Sequence, residues 1–242
     1  MNEEIYAHSD LELMSIHVRV VFTHDTESRL LFVNEPDSPV IPASRLFLGR
    51  TRAGNVWRFR ADLPEKLCEE LDALCADELP VNVEFNEPPR HLESYVRLLE
   101  KHAPVERFGN GLAYHFPQDA LPPSKPLLAV TEKNAETLQG GFEKLVEELP
   151  TWQPFVALVE GNRAVSICRS VRITSEAHEA GVETLPDFRG KGYAKDVTAE
   201  WARLVRTVGA IPLYSTSWEN TASQAVARKL HLKCYGANFN VT

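Results

Sequence analysis

A glycine-rich turn between a strand-like run and an amphipathic helix constrains this sequence more than any other feature. The turn is Arg189-Gly190-Lys191-Gly192-Tyr193-Ala194. Its glycines let the backbone turn tightly and approach a ligand closely. The free N–H groups and the positive dipole end of the following helix then point at that ligand, and the Arg189 and Lys191 side chains add positive charge. The pattern therefore predicts a binding site for a diphosphate.

Two common nucleotide-binding patterns do not fit this turn. The dinucleotide pattern GxGxxG needs a third glycine at position 195, where the chain has Lys195. The phosphate-binding loop that ends in Gly-Lys-Ser/Thr does not match either. Taken alone, the turn could also be a solvated strand-to-helix connection that binds nothing.

The composition is typical of a globular protein and excludes several functions. The chain has 242 residues, of which 43% are hydrophobic and 25% charged, and its formal net charge is -8. This acidic balance argues against nucleic acid as a partner. The sequence has no run of roughly 20 apolar residues and no signal-peptide pattern, which predicts a cytoplasmic protein without a membrane partner. The four cysteines lack metal-ligand spacing, so we expect buried structural thiols and no metal site.

A proline-rich stretch divides the chain near residue 120. Residues 116–126 hold four prolines, which cannot sustain a helix or a central strand. We therefore expect an N-terminal α/β domain of unknown role over residues 1–120 and a second domain over residues 121–242. In the first domain we expect strands at 17–22, 29–33, 44–52 and 56–60, with a hairpin between the last two. We also expect a helix opened by a capping box of Asp62 and Glu65, and a second helix at about 91–101.

The second domain has a regular alternation of apolar patterns. We expect strands at 127–131, 155–159, 164–173, 211–215 and 233–239, together with the strand that precedes the glycine turn. We expect helices at 134–149, after the glycine turn, and at 220–230. Gly140 and Gly141 weaken the first of these helices and could split it.

Two elements of the second domain resemble the GCN5-related N-acetyltransferase (GNAT) family. The acetyl-CoA signature of that family is Arg or Gln, two residues, Gly, one residue, and Gly or Ala, which residues 189–194 fit. The segment from Asn220 to Leu232 resembles the later family helix, which begins at an Asn and ends near Gly-Phe. The resemblance covers about residues 125–242, and the variant resembled most is the zwittermicin-resistance-like group. It implies an α/β (α+β) fold with a mixed, mostly antiparallel sheet flanked by helices.

The resemblance also implies a co-substrate and a reaction. Acetyl-CoA would donate its acetyl group directly to an amine of a small molecule or a protein in a ternary complex, without a metal, and a homodimer is compatible with the family. The strand before the turn would pair with the pantetheine arm, and the strand at 211–215 would splay away from it. The implied acetyl-CoA contacts are Val182, Glu183, Thr184, Arg189, Gly190, Lys191, Gly192, Tyr193, Ala194, Ser215, Asn220 and Ser223. Asn220 equally suits the role of capping its own helix.

Two residues are candidates for the catalytic base. His178 lies on the strand where several family members carry a catalytic Glu or His, and the ordinary pKa of imidazole, about 6.5, is close to working pH. The alternative is a strand histidine that faces solvent or packs in the core. Glu183, nearest the signature, is the competing base, or it binds the acceptor amine or is merely solvated. Glu176 and Glu179 rank below both.

The sequence departs from the family at the general acid. The Tyr that protonates the departing CoA thiolate in many members aligns with Ala227. Tyr214 or Tyr235 could replace it, or the thiolate could leave unassisted. A non-catalytic acetyl-CoA-binding or regulatory module is therefore the alternative to an active N-acetyltransferase.

Five arginines crowd the hairpin expected in the N-terminal domain. They are Arg45, Arg50, Arg52, Arg58 and Arg60, with Phe47, Trp57 and Phe59 interleaved. They could form an anion- or nucleic-acid-binding face with stacking aromatics. We prefer a half-buried strand with its aromatics inward and its arginines solvated. This domain could also be a degenerate acetyltransferase fold that shapes the acceptor pocket.

Overall fold

The computed structural model describes residues 8–36, 40–82, 84–118 and 123–242. Its helices are α1 (Asp10–Val21), α2 (Glu65–Ala76), α3 (Leu92–Glu100), α4 (Tyr193–Thr207) and α5 (Thr221–Lys229). Its strands are β1 (Phe22–His24), β2 (Leu30–Val33), β3 (Leu46–Arg50), β4 (Asn55–Phe59), β5 (Phe108–His115), β6 (Leu128–Ala129), β7 (Phe155–Glu160), β8 (Arg163–Ile173), β9 (Ala177–Thr184), β10 (Ile211–Ser217) and β11 (Lys233–Val241). Three short 3-10 segments lie at Glu132–Leu138, Glu143–Leu145 and Pro186–Phe188.

One mixed sheet runs across the expected domain boundary. Among the described residues its strand order is β4-β3-β11-β5-β10-β9-β8-β7-β6, and all neighbours are antiparallel except β9 and β10. The expected α/β fold with a mostly antiparallel sheet and flanking helices is thus confirmed. β5 lies between β10 and β11, so strands from both halves of the chain share backbone hydrogen bonds. The boundary at 120/121 itself falls outside the described residues, and two independent domains stay a prediction.

Helices cover both faces of this sheet. On one face α4 packs on β7 to β10 around the fully buried Trp201, and α2 and α3 cover β3 and β11 through Leu71 and Tyr95. On the other face α1 packs on β3, β9 and β11, and residues 130–149 cover β7 and β8. Within the described ranges, no helix is long and apolar enough to cross a membrane.

The strand predicted at 17–22 is wrong, because residues 17–21 belong to α1 and only Phe22 begins a strand. The alternation of β-branched residues there imitates a strand, but Ser9 and Glu12 form a capping box that starts a helix upstream. Leu13, Met14 and His17 then lie buried on one helical face against the sheet. Capping and tertiary packing outweigh the local strand preference of valine.

Two helix predictions need correction. Residues 134–149 form short 3-10 segments rather than one helix, since Gly140 adopts φ +83° and stops helical continuation. Helix α2 exists, but the predicted capping box does not form. Pro64 occupies the N-cap of α2 without a side-chain cap, and the Asp62 carboxylate accepts hydrogen bonds from Arg60 instead.

The preferred interpretation of the arginine-rich hairpin is also wrong in part. The hairpin of β3 and β4 forms as predicted, but both of its faces are covered, and Arg45 and Arg50 are buried rather than solvated. Arg45 donates to four backbone carbonyls, including those of Leu99 and Thr242. Arg50 donates to the carbonyl of Pro88 and lies 3.8 Å from the Glu78 carboxylate. These guanidinium groups therefore tie β3 to the loops around α3.

Candidate active site

A cleft opens where β9 and β10 separate. The two parallel strands pair at Ile211 with Ala177, Pro212 with His178 and Leu213 with Glu179, and no further pairing between them follows in the described chain. Beyond this point β9 continues along β8 and β10 continues along β5. The resulting cleft has a volume of about 850 Å³ and reaches the glycine turn. Its size suits an extended small molecule.

The glycine turn has a backbone shape that other residues rarely adopt. Gly190 has φ +79° and Gly192 has φ +84°, and a Cβ at either position would meet no atom within 4 Å. Gly192 is the N-cap of α4. The N–H groups of residues 190–194 donate to no backbone carbonyl in the described parts of the chain. Open space and several unpaired N–H groups at a helix N-terminus suit a diphosphate.

The charged side chains of the turn are held differently. Arg189 is exposed and donates through Nε to the Thr184 carbonyl at 3.2 Å, which fastens the turn to the end of β9. Lys191 Nζ lies 4.6 Å from the centre of the Phe188 ring, outside the lining of the cleft. Tyr193 is buried and donates its hydroxyl to Glu160. Arg189 thus supplies positive charge at the cleft wall, and Lys191 supplies it from outside.

The opposite wall of the cleft is formed by β10 and the start of α5. Asn220 caps α5, since its Oδ1 accepts from the Ser223 N–H at 3.0 Å. The Tyr214 hydroxyl lies 2.6 Å from Ser223 Oγ. Burial raises the pKa of Tyr214 to about 12, so its phenol is protonated at neutral pH. All three side chains line the cleft.

A buried carboxylate lies at the apex of the cleft. Glu179 is 2% exposed and accepts a hydrogen bond from Ser215, whose residue lines the cleft. Arg172 Nη1 donates to the other Glu179 oxygen at 2.6 Å. Burial alone would raise the pKa of Glu179, but Arg172, His17 and the Ser215 hydroxyl outweigh it and lower that pKa. Glu179 is therefore an ionised group one hydroxyl away from the cleft.

A comparison with protein families identifies the part of the chain that contains this cleft. Residues 129–236 match the GNAT acetyltransferase family. These residues form a GNAT acetyltransferase domain. The match contains the cleft, the glycine turn and α5, so the resemblance predicted from the sequence is confirmed. The zwittermicin-resistance-like subgroup stays a prediction.

Solved structures similar to this chain carry the same family description. A GCN5-related N-acetyltransferase-like protein from Streptococcus suis is 18% identical, covers 97% of this chain and 100% of its own, and has a TM-score of 0.48. A GCN5-related N-acetyltransferase from Kribbella flavida is also 18% identical, covers 98% and 96%, and has a TM-score of 0.48. A GNAT-family protein from Novosphingobium aromaticivorans is 16% identical, with a TM-score of 0.46, and the match spans 57% of this chain and 65% of that one, just under two thirds of its length. No curated protein matches the chain.

His178, the preferred base from the sequence, lies beneath α4 of the GNAT domain. Its Nδ1 is 2.9 Å from Ser170 Oγ, which also accepts a hydrogen bond from Trp201 Nε1 at 3.1 Å. The residue is 8% exposed and does not line the cleft. Burial lowers its pKa. These contacts suit a neutral histidine that packs in the core, and a catalytic role stays a prediction.

Glu183, the competing base, lines the cleft of the GNAT domain. Its Oε1 lies 2.6 Å from Arg169 Nη1, and about half of its side chain is exposed. The Arg169 guanidinium itself lies 4.5 Å from the centre of the Trp152 ring. Glu183 is thus an accessible carboxylate whose charge is partly balanced.

The structure brings most of the predicted acetyl-CoA contacts together at the cleft of the GNAT domain. The residues that line it are Val182, Glu183, Thr184, Arg189, Gly190, Gly192, Tyr193, Ala194, Ser215, Asn220 and Ser223. Lys191 lies outside the lining. Contact of each with acetyl-CoA stays a prediction. Sequence reasoning missed Arg172 and His17 beside Glu179, because they come from distant segments of the chain.

Proposed function

We propose that this protein transfers an acetyl group from acetyl-CoA to an amine acceptor by direct attack in a ternary complex. The observation that carries the proposal is one continuous cleft that runs from the Glu179–Ser215 pair to the glycine turn at the N-terminus of α4. It joins a site for a diphosphate to a site where a proton can be removed. A base, an acid and donors for developing charge are what acyl transfer to an amine requires.

The residues of the cleft fit acetyl-CoA. The N–H groups of residues 190–194 and the Arg189 side chain would hold the pyrophosphate. The edge of β9 that no longer pairs with β10, at Val182 and Thr184, would hold the pantetheine arm through its backbone. Ser215, Asn220 and Ser223 face the arm from the opposite wall. When bound, acetyl-CoA supplies a thioester carbonyl that an amine can attack and a thiolate that can leave.

The Glu179–Ser215 pair is the better placed of the candidate bases. Ser215 Oγ can accept the proton that the amine loses, while its own hydrogen passes to the Glu179 carboxylate. Arg172 keeps that carboxylate ionised and in place until then. Glu183 could act directly, since it lines the cleft, or it could attract a cationic acceptor. His178 would have to act from beneath α4 through Ser170.

Tyr214 is the candidate general acid. Its phenol is protonated, lines the cleft and is oriented by Ser223. A proton from the Tyr214 hydroxyl would neutralise the thiolate as the carbon–sulfur bond breaks, and the Ser223 hydroxyl would stabilise the resulting phenolate. Tyr235 is less suited, because it is fully buried beneath α1 and hydrogen-bonds to His17 at 2.9 Å.

A non-catalytic acetyl-CoA-binding module is the second candidate. The observation that favours it is the buried Ala227 on α5, at the position where many family members carry the acid Tyr. Binding of acetyl-CoA would be equal in both cases, so turnover must separate them.

The test is an acceptor screen that measures the release of free thiol from acetyl-CoA. Small-molecule amines and lysine peptides are offered to the wild type and to Glu179→Gln, Glu183→Gln, His178→Ala and Tyr214→Phe variants. An active enzyme releases thiol with at least one acceptor, and the rate falls in the variant that lacks the base. Saturable acetyl-CoA binding without release above hydrolysis for any amine would instead indicate the non-catalytic module.

A further inference from the structure

A second cleft lies at the other end of β9, away from the glycine turn. It has a volume of about 420 Å³ and is lined by residues of α1, the β1–β2 hairpin, β4 and the end of β8. Since β9 has eight residues, and each rises about 3.3 Å, roughly 25 Å separate the second cleft from the glycine turn along the strand. Nothing in the acetyl-transfer proposal uses this second cleft.

Arg58 lines the second cleft together with Arg19. Its guanidinium is half-buried, and it donates through Nη1 to the Trp57 carbonyl at 2.7 Å. No carboxylate of the described residues pairs with it, whereas Arg60, two residues along, is paired with Asp62 at 2.7 Å. Burial, and to a lesser extent the charge of Arg19, lower the pKa of Arg58. A half-buried cation without a counter-ion is costly, and an anion in the cleft would offset that cost.

His24 presents an unsatisfied nitrogen beside Arg58. Its Nε2 is buried and has no hydrogen-bond partner among the described residues, while the ring is hydrogen-bonded to the backbone of Phe22. Burial and the charges of Arg58 and Arg19 lower the pKa of His24, and Asp25 opposes them. The negative charge of a bound anion would raise the pKa of His24. Nε2 would then be protonated, and its N–H would donate a hydrogen bond to the anion.

The carboxylates around this cleft are already engaged. Glu176 accepts from Arg19 at 2.7 Å, and Asp25 accepts from Arg29 at 2.8 Å. In each pair the positive charge of the arginine balances the negative charge of the carboxylate, so the charge that no carboxylate of the described residues balances is that of Arg58. A planar guanidinium fork beside a nitrogen donor matches a carboxylate or a phosphate.

We propose that this cleft binds a small molecule through a carboxylate or phosphate group, with the Arg58 guanidinium and the Nε2–H of protonated His24 as its donors. The hydroxyl of Thr23 and the side chain of Ser28 lie in the same lining and add polar contacts. The proposal stands apart from the proposed acetyl transfer, because neither donor belongs to the first cleft.

The test follows the ring signals of His24 by NMR while the full-length protein is titrated with inorganic phosphate and, separately, with acetate. His24 reports on its own cleft, so phosphate that binds at the glycine turn does not confuse the result. We expect saturable shifts, uptake of a proton by His24, and tighter binding at pH 6 than at pH 7.5, where neutral His24 predominates. The stronger of the two anions identifies whether the ligand carries a phosphate or a carboxylate.

The matched variants are Arg58→Gln, Arg58→Lys and the exposed Arg97→Gln. We expect Arg58→Gln to weaken binding about tenfold or more, Arg58→Lys to weaken it less because a point charge remains, and Arg97→Gln to change nothing. If Arg58→Gln does not fold, the anion affinities of the wild type and of Arg58→Lys still test the proposal. Shifts that do not saturate with either anion, or affinities equal in wild type and Arg58 variants, would overturn the proposal.

Discussion

Ser215 donates its hydroxyl hydrogen to the buried carboxylate of Glu179 at the point where β9 and β10 separate. The carboxylate is held from behind by Arg172, while the serine lines the cleft. A hydroxyl can accept one hydrogen and donate another. The pair therefore connects the cleft to a buried negative charge that a diffusing acceptor does not reach directly.

Replacing Glu179 by Gln should lower kcat by about 100-fold or more while the affinity for acetyl-CoA changes little. The variant removes the final proton acceptor but keeps the size of the side chain, and loss of general base catalysis typically costs 10²–10⁴-fold. Ser215→Ala should have a similar effect, and Ser215→Thr should retain activity because it keeps the hydroxyl. The measurement is steady-state thiol release, with acetyl-CoA affinity determined by calorimetry.

Glu183→Gln is the matched control for this prediction, because Glu183 is a carboxylate on the same strand that lines the same cleft. We expect it to raise KM for a cationic acceptor more than it lowers kcat. A large loss of kcat in Glu183→Gln together with a nearly normal Glu179→Gln would identify Glu183 as the base and refute the relay.

Tyr214→Phe should lower kcat about 10- to 100-fold without weakening acetyl-CoA binding. The substitution removes the phenol hydroxyl from the cleft and leaves the aromatic ring packed in the core. Amine acceptors of low basicity test Tyr214 as the general acid further, because with such acceptors the departure of the thiolate limits the rate more strongly. Tyr235→Phe serves as control, since its hydroxyl faces His17. Equal kcat values in wild type and Tyr214→Phe would mean that the thiolate leaves unassisted.

The glycine turn and its flanking elements could be predicted from the sequence because their signals are local. Two glycines before an amphipathic helix specify a helix N-terminus, and the structure places them there with positive φ. The Asn220 cap is equally local. The strand predicted at 17–22 was wrong although the local signal of alternating valines is present, because the Ser9–Glu12 capping box starts a helix upstream and packing against the sheet stabilises it.

The proposed base at the cleft could not be predicted in the same way, because the cluster around it depends on contacts between distant segments. Glu179 ranked low as one of several acidic residues near the signature. Its connection to the cleft appears only in the structure, where β10 lies parallel to β9 and Ser215 donates a hydrogen bond to it. Arg172, Glu35 and His17 likewise meet around it from three separate elements. Conversely, His178 fits the family position but its side chain lies against α4, which periodicity alone does not reveal.

Gly192→Glu should lower the affinity for acetyl-CoA by about 100-fold or more. The new side chain enters open space in the cleft, where its negative charge would repel a pyrophosphate at the N-terminus of α4. Gly209→Glu is a matched control, because Gly209 has φ +81° and equally open surroundings but lies at the other end of that helix. Both variants carry the same backbone strain, so calorimetric titration isolates the electrostatic effect. Comparable losses of affinity in the two variants would contradict a pyrophosphate site at the turn.

His178→Gln should make the stability of the protein less dependent on pH between about 7 and 5. Burial lowers the pKa of His178 in the folded state, whereas in the unfolded chain it has its ordinary value of about 6.5. Below that value the unfolded chain takes up a proton that the folded protein does not, so His178 contributes a loss of stability as the pH falls toward its folded pKa. Urea unfolding at several pH values measures the slope of the free energy of unfolding against pH. The exposed His102→Gln variant is the control for the removal of an imidazole that lies outside the core. If His178→Gln leaves the slope unchanged, the imidazole takes up its proton over the same pH range in the folded protein as in the unfolded chain, and its packing against Ser170 must then accommodate a charge.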